Sequence, residues 1–159
     1  MRTQKPFGLW DSPIGAETIA GDLKLGSLSW TEDNGLLWVE GRSGSSVLVY
    51  QPADEHQSRD ISRDTNVRGF LNYGGAEYGV GHGSVYLVEA DSGRILRHSL
   101  NEGTATPVTP AFGGAAAPAE SPDGGWLLYL HTYEGRDRIA IVDTSGKYWP
   151  QKLVSGSDF

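Results

Sequence analysis

Ser121-Pro122-Asp123-Gly124 leads into Trp126-Leu127-Leu128-Tyr129-Leu130, and Arg138-Ile139-Ala140-Ile141-Val142-Asp143 runs back after a polar loop from Thr132 to Asp137. Pro122 presets φ for the second position of a type I turn, Asp123 suits the third, and Gly124 suits the exit. The apolar runs are too short for helices and rich in aromatic and β-branched residues, so turn and runs together read as a β-hairpin. They are apolar at nearly every position rather than every second one, which predicts burial on both faces of a sheet.

The unit recurs. Asn34-Gly35 precedes Leu36-Leu37-Trp38-Val39-Glu40, with Ser46-Val47-Leu48-Val49-Tyr50 returning. His82-Gly83 precedes Val85-Tyr86-Leu87-Val88-Glu89, with Arg94-Ile95-Leu96-Arg97-His98 returning after Asp91-Ser92-Gly93. A short outer strand follows each hairpin, at Asp60-Ile61-Ser62, Pro107-Val108-Thr109 and Lys152-Leu153-Val154. The aromatic positions Trp38, Tyr86 and Tyr129 lie 48 and 43 residues apart, and Ile61, Val108 and Leu153 lie 47 and 45 apart. Periods of this size belong to four-stranded propeller blades. The expected fold is therefore all-β, about three four-stranded antiparallel blades of an incomplete β-propeller. An all-β sandwich with irregular hairpins is the alternative.

The expected boundaries are an N-terminal arm over residues 1–20, then blades over about 23–66, 67–110 and 111–155, with a fourth beginning at 156–159. In the arm, Ser12 and Pro13 could start a brief helix, and Phe7, Leu9 and Trp10 are expected to pack on the first blade. Leu23, Leu25, Leu28 and Trp30 supply the first inner strand. Gly74-Gly75 and the small-residue run Gly113 to Ala117 suit crowded inner strands around a central channel. The polar run from Asp54 to Asp60 reads as a solvated loop.

With 159 residues the chain can bury a core, and 22 glycines suit many short strands and tight turns. A net charge of −7 argues against nucleic-acid and anionic-membrane partners. No cysteine is present, which excludes disulfides and thiolate metal sites. Met1 to Pro6 has no apolar leader core and no apolar run reaches membrane-spanning length, so a cytoplasmic location is expected.

Pro6-Phe7-Gly8-Leu9-Trp10-Asp11-Ser12-Pro13-Ile14 followed by Ala16-Glu17, Trp38-Val39-Glu40-Gly41-Arg42, Asn66-Val67-Arg68, Tyr73-Gly74-Gly75, and the stretch Trp149 to Phe159 together resemble the N-terminal part of bacterial prolyl oligopeptidase-family serine peptidases, of the dipeptidyl and acylaminoacyl peptidase type. The resemblance covers essentially the whole chain. It implies a propeller that gates and helps bind peptide substrates for a C-terminal α/β-hydrolase domain carrying the catalytic serine, aspartate and histidine. Leu71-Asn72 stand where many relatives have a His-Glu pair, so that pair's contribution is not carried over.

No catalytic residue is assigned in this chain. The nearest approach to Gly-x-Ser-x-Gly is Gly41-Arg42-Ser43-Gly44-Ser45, which ends in Ser and falls in a hairpin loop rather than a strand-to-helix elbow. His56, His82, His98 and His131 lack metal-ligand spacing, and Asp33, Asp91, Asp123 and Asp143 occupy turn positions, so no metal and no cofactor is expected. Glu77, beside the glycine pair and near the expected channel, is the candidate substrate-binding residue, because a peptide α-ammonium needs an anionic partner. The expected partners are peptide substrates of a parent enzyme, its remaining blades and its hydrolase domain. A stand-alone, non-catalytic binding propeller assembled from two three-blade chains stays open, with a second copy as partner. A metal-dependent propeller hydrolase would need carboxylate and Asn ligands converging on the channel, and no such set stands out.

Overall fold

The computed structural model describes residues 23–69, 76–101 and 103–155. The expectations for the arm with its Ser12-capped helix, for Gly74-Gly75 and for a fourth blade at 156–159 fall outside the described residues.

Among the described residues twelve strands form three four-stranded antiparallel sheets, each in sequential order. The first contains β1 (Lys24–Trp30), β2 (Leu36–Arg42), β3 (Ser45–Gln51) and β4 (Arg59–Asp60). The second contains β5 (Tyr78–Gly81), β6 (Ser84–Val88), β7 (Ile95–Ser99) and β8 (Ala105–Pro107). The third contains β9 (Gly114–Glu120), β10 (Trp126–Tyr133), β11 (Arg136–Asp143) and β12 (Gln151–Ser155). Each sheet is an up-down meander, and each hairpin forms at the expected place. The described residues form an all-β array of blades of an incomplete propeller.

The Ser121 to Gly124 turn closes through Gly124 N–H donating to Ser121 C=O at 2.9 Å, and the left-handed φ of +71° at Gly124 explains the glycine. Asp123 fixes the same turn by accepting from Ser121 Oγ and from Gly125 N–H.

Two separate cores lie between the sheets. Leu37, Val39, Leu48 and Tyr50 of the first sheet meet Val85, Leu87 and Leu96 of the second. From the other side of the second sheet, Tyr86, Val88 and Ile95 meet Leu127, Tyr129, Ala140 and Val142 of the third. Strand alternation sends successive residues of β6 into different cores, so all five of its residues are buried. Burial on both faces therefore holds for the middle blade. In β2 and β10 burial alternates instead, because each outer sheet has one neighbour.

This arrangement corrects the aromatic repeat. Tyr86 faces the following blade, whereas Tyr129 faces the preceding one. Trp38 alternates with Leu37 and Val39, so it points away from the second blade. The positions that share a face are Leu37, Tyr86 and Leu128; a shift of one residue moves a side chain to the other side of its sheet. The outer strands also start earlier than expected. β4 ends at Asp60 and β8 at Pro107, leaving Ile61 and Val108 to plug the two cores from the connections that follow.

The polar run before residue 60 is not simply solvated. Arg59 and Asp60 form β4. Asp60 receives two bonds from Arg42, at 2.7 and 2.8 Å, while Arg42 Nε donates to Glu40 at 2.8 Å. Trp38 Nε1 donates to the same Glu40, so a polar lattice covers the outer part of the first blade's open face. That blade's inner strand nevertheless leaves Leu25, Leu28 and Trp30 exposed, and on the third blade's open face Trp126, Leu128 and Ile139 stay exposed.

Candidate functional site where three turns meet

The inner strands approach one another closely because their side chains are small. A Cβ at Gly79 in β5 would lie 1.9 Å from Pro118 O in β9, and one at Gly81 would lie 2.6 Å from Glu120 Oε2. Ala117 N–H donates to Ala76 C=O across the same junction at 2.9 Å. Steric crowding thus explains the small residues of these strands.

That close approach brings the turns after β1, β5 and β9 around a cleft of about 320 Å³, lined by Trp30, Glu32, His82, Glu120, Ser121 and Pro122 among others. Glu120, at the end of β9, is its centre. Its side chain is 4% exposed and accepts from Tyr86 Oη at 2.6 Å, from His82 N–H at 2.7 Å, and from the His82 ring Nδ1 at 2.6 Å. The other ring nitrogen lies 3.4 Å from Glu32 Oε1 on the first blade. One imidazole therefore joins carboxylates from the two flanking blades.

The electrostatics follow from these contacts. The bond to Glu120, then the nearby Glu32 charge, raise the His82 pKa above the ordinary imidazole value. Burial opposes ionisation of Glu120, but the Tyr86 hydroxyl and the His82 amide and ring outweigh it, leaving the carboxyl below its usual range. Burial, reinforced by the Glu120 charge, pushes the Tyr86 phenol up, so it acts as a neutral donor. The contacts favour the protonated His82 ring, and the exposed Glu32 carboxylate can meet a cation. Ser121, the nearest hydroxyl of the cleft's third turn, donates to Asp123 and accepts from Trp126 N–H. It belongs to the turn, not to an acid–base pair.

Glu77 lies just before β5, at the opposite end of that strand from His82. Its carboxylate accepts from Ser27 Oγ of β1 through one oxygen, and its other oxygen accepts no hydrogen bond among the described residues. Tyr78 beside it donates to the Ser27 and Leu37 carbonyls. Glu77 thus sits on the inner-strand junction between the first two blades, but not with the His82–Glu120 cluster. In the sequence His82 is one residue of a Gly-rich turn, and Glu120 carries no pattern of its own. The available signal was weak: a His in a Gly-rich turn and a Glu just before a Ser-Pro-Asp-Gly turn, one blade apart.

No family model and no curated protein matches the chain. Solved structures do. A puromycin-hydrolyzing peptidase of Mycobacterium tuberculosis aligns over 98% of this chain, with TM-score 0.77 and 23% identity. The acylaminoacyl peptidase of Pyrococcus horikoshii aligns over 87%, with TM-score 0.63 and 12% identity. TolB from Acinetobacter baumannii aligns over 82%, with TM-score 0.61 and 18% identity. These likenesses establish the propeller fold. The chain spans 28%, 26% and 32% of those three proteins respectively.

Proposed function

We propose that this chain is the N-terminal propeller portion of a prolyl oligopeptidase-type serine peptidase, gating and helping to bind peptides for an α/β-hydrolase domain that lies outside these residues. The observation that carries the reading is the alignment of nearly the whole chain, 98%, with just over a quarter of a puromycin-hydrolyzing peptidase. The motifs from Pro6 to Ile14 and from Trp149 to Phe159 add sequence support. The cysteine-free, acidic composition is compatible with work in the cytoplasm, which we assign to it.

Within this reading the blades restrict entry and the hydrolase domain does the chemistry. Glu77 is assigned to the substrate's α-ammonium, since one carboxylate oxygen is held by Ser27 and the other is available. An anion fixed by a neighbouring hydroxyl loses less freedom on meeting a cation than a mobile one. The open face carrying Trp126, Leu128 and Ile139 is assigned to the next blade, because burying apolar surface contributes about 25 cal/mol per Å².

The deciding experiment labels a lysate of the source cells with a fluorophosphonate probe and recovers the protein with an antibody to this chain. The proposal expects the recovered polypeptide to be several times longer than 159 residues and to carry the label on a serine. Recovery of an unlabelled 17 kDa species refutes it. That second result favours a stand-alone binding propeller built from two copies, which the exposed third-blade face also fits.

A further inference from the structure

A second cleft, of about 210 Å³, opens between the second and third blades, away from the His82–Glu120 cluster. Its walls are aromatic. Phe112 stacks at 4.2 Å on Tyr133 and lies 6.1 Å from the Trp149 ring, while His131 stands edge-on to Tyr129 at 6.1 Å. Gly93, Ala115 and Ala140 leave the space that larger side chains would fill.

Three features make this more than a packing gap. Tyr129 is only 5% exposed, and its hydroxyl makes no hydrogen bond among the described residues. Burial pushes that phenol up to about 12, so it remains a neutral donor at any ordinary pH. The hydroxyl is not sealed in the interior, so it is open to a partner in the cleft. Arg138 lines the cleft and has neither an ion pair nor a hydrogen bond among the described residues. Lys152 lines it as well, and no carboxylate does, although acidic residues outnumber basic ones by 20 to 13 in the chain. His131 Nε2 lies 2.7 Å from Phe112 C=O and donates to it, which fixes the ring at the cleft wall.

We propose that this cleft binds a small aromatic carboxylate: one ring between Phe112, Tyr129 and Trp149, with the carboxylate on Arg138 and the Tyr129 hydroxyl. Size supports a single ring. The volume equals that of about seven waters at roughly 30 Å³ each, too small for a drug-sized ligand. Charge supports an anion, because a guanidinium without a carboxylate partner among the described residues matches a carboxylate in two-pronged geometry. The carboxylate could belong to a free aromatic acid or to the C-terminus of a peptide ending in an aromatic residue. The cleft lies between two described blades, so the inference stands apart from the peptidase reading.

The test titrates the full chain with 3-phenylpropionate, following backbone amide shifts of Gly93, Ala115 and Ala140 and the Trp149 indole by NMR. Saturable binding is expected, with a dissociation constant on the order of 1 mM or tighter for so few atoms. The uncharged 3-phenylpropionamide should bind at least about tenfold more weakly, and Arg138→Gln should weaken the acid by a similar factor without moving the thermal transition. Tyr129→Phe should cost roughly threefold to tenfold. An acetylated dipeptide ending in Phe separates the two sources: if it binds at least as tightly as 3-phenylpropionate, the ligand is a peptide C-terminus, and if the free acid is preferred, a metabolite. Equal binding of acid and amide, an unaffected Arg138→Gln variant, shifts confined to other surfaces, or no saturation each overturns the proposal.

Discussion

Replacing Gly79 by Ala tests how the inner strands meet. The added methyl would sit 1.9 Å from Pro118 O and 2.9 Å from Pro118 C, both backbone atoms that no rotamer change can move. Reaching even a tight contact requires β5 and β9 to part by about 1 Å, and a close-packed interior transmits such a shift. The Ala117 N–H to Ala76 C=O bond, 2.9 Å long, spans the same junction and would stretch beyond useful length. Overpacking costs about 1–3 kcal/mol and the lost bond about 1 kcal/mol, so a destabilisation of about 3 kcal/mol is expected. For a chain of this size that lowers Tm by roughly 6–12 °C. Thermal unfolding followed by far-ultraviolet circular dichroism, with urea titration as a second measure, reads the change. Gly26→Ala is the control, since a Cβ there has no neighbour within 4 Å, and it should stay within about 0.5 kcal/mol of the parent. A Gly79→Ala variant melting within about 2 °C of the parent would refute the strand contact and, with it, the crowding account of the small residues.

Three further outcomes are expected. His82 has a raised pKa in the folded chain, so its contribution to stability is complete below the unfolded value near 6.5 and disappears as pH rises through the folded value. Urea midpoints should therefore fall between mildly acidic and mildly alkaline pH, and His82→Gln or Glu120→Gln should flatten that fall; an unchanged slope contradicts the contacts. Asp60 is held below its ordinary value mainly by its bonds to Arg42, so that part of the stability persists above pH 4 and is lost as pH drops through the lower folded value. A double-mutant cycle on Arg42→Ala and Asp60→Asn should give a coupling of about 0.5–1 kcal/mol, the modest value of a half-exposed pair, and no coupling would mean the pair is ornamental. Finally, Leu128→Glu with Ile139→Lys should suppress self-association of the isolated chain at least about tenfold in sedimentation velocity, and unchanged association would place the sticky surface elsewhere.

The hairpins were legible because turn chemistry and apolar runs are local properties. Asn34-Gly35, His82-Gly83 and Ser121 to Gly124 each mark a real turn, and Asp33, Asp123 and Asp143 are held by the short-range bonds expected of turn residues. What the sequence hid depends on parity or distance. Trp38, Tyr86 and Tyr129 look like one repeated position, but loops of unequal length let the register slip by a residue between blades. The His82–Glu120 contact joins residues 38 positions apart on different blades, so no local pattern announces it. The run before residue 60 has the composition of a loop, and only the pairing of Arg59 and Asp60 with Tyr50 and Val49 of β3 makes its end a strand. The aromatic cleft was equally hidden, since Phe112, Tyr129 and Trp149 belong to three different segments of one blade.

The two cores touch different faces of the middle sheet and share no residue, which makes the molecule a short one-dimensional lattice with two bonds. An end unit of such a lattice can melt by breaking one bond, whereas the middle unit must break both. Amide exchange should therefore be graded by position along the lattice. Val85 to Val88 would exchange only with global unfolding, while β1 and β12 open in lower-energy excursions. A ligand bridging the second and third blades would strengthen one bond alone, so it would slow exchange in β10 and β11 and leave β2 and β3 as they were.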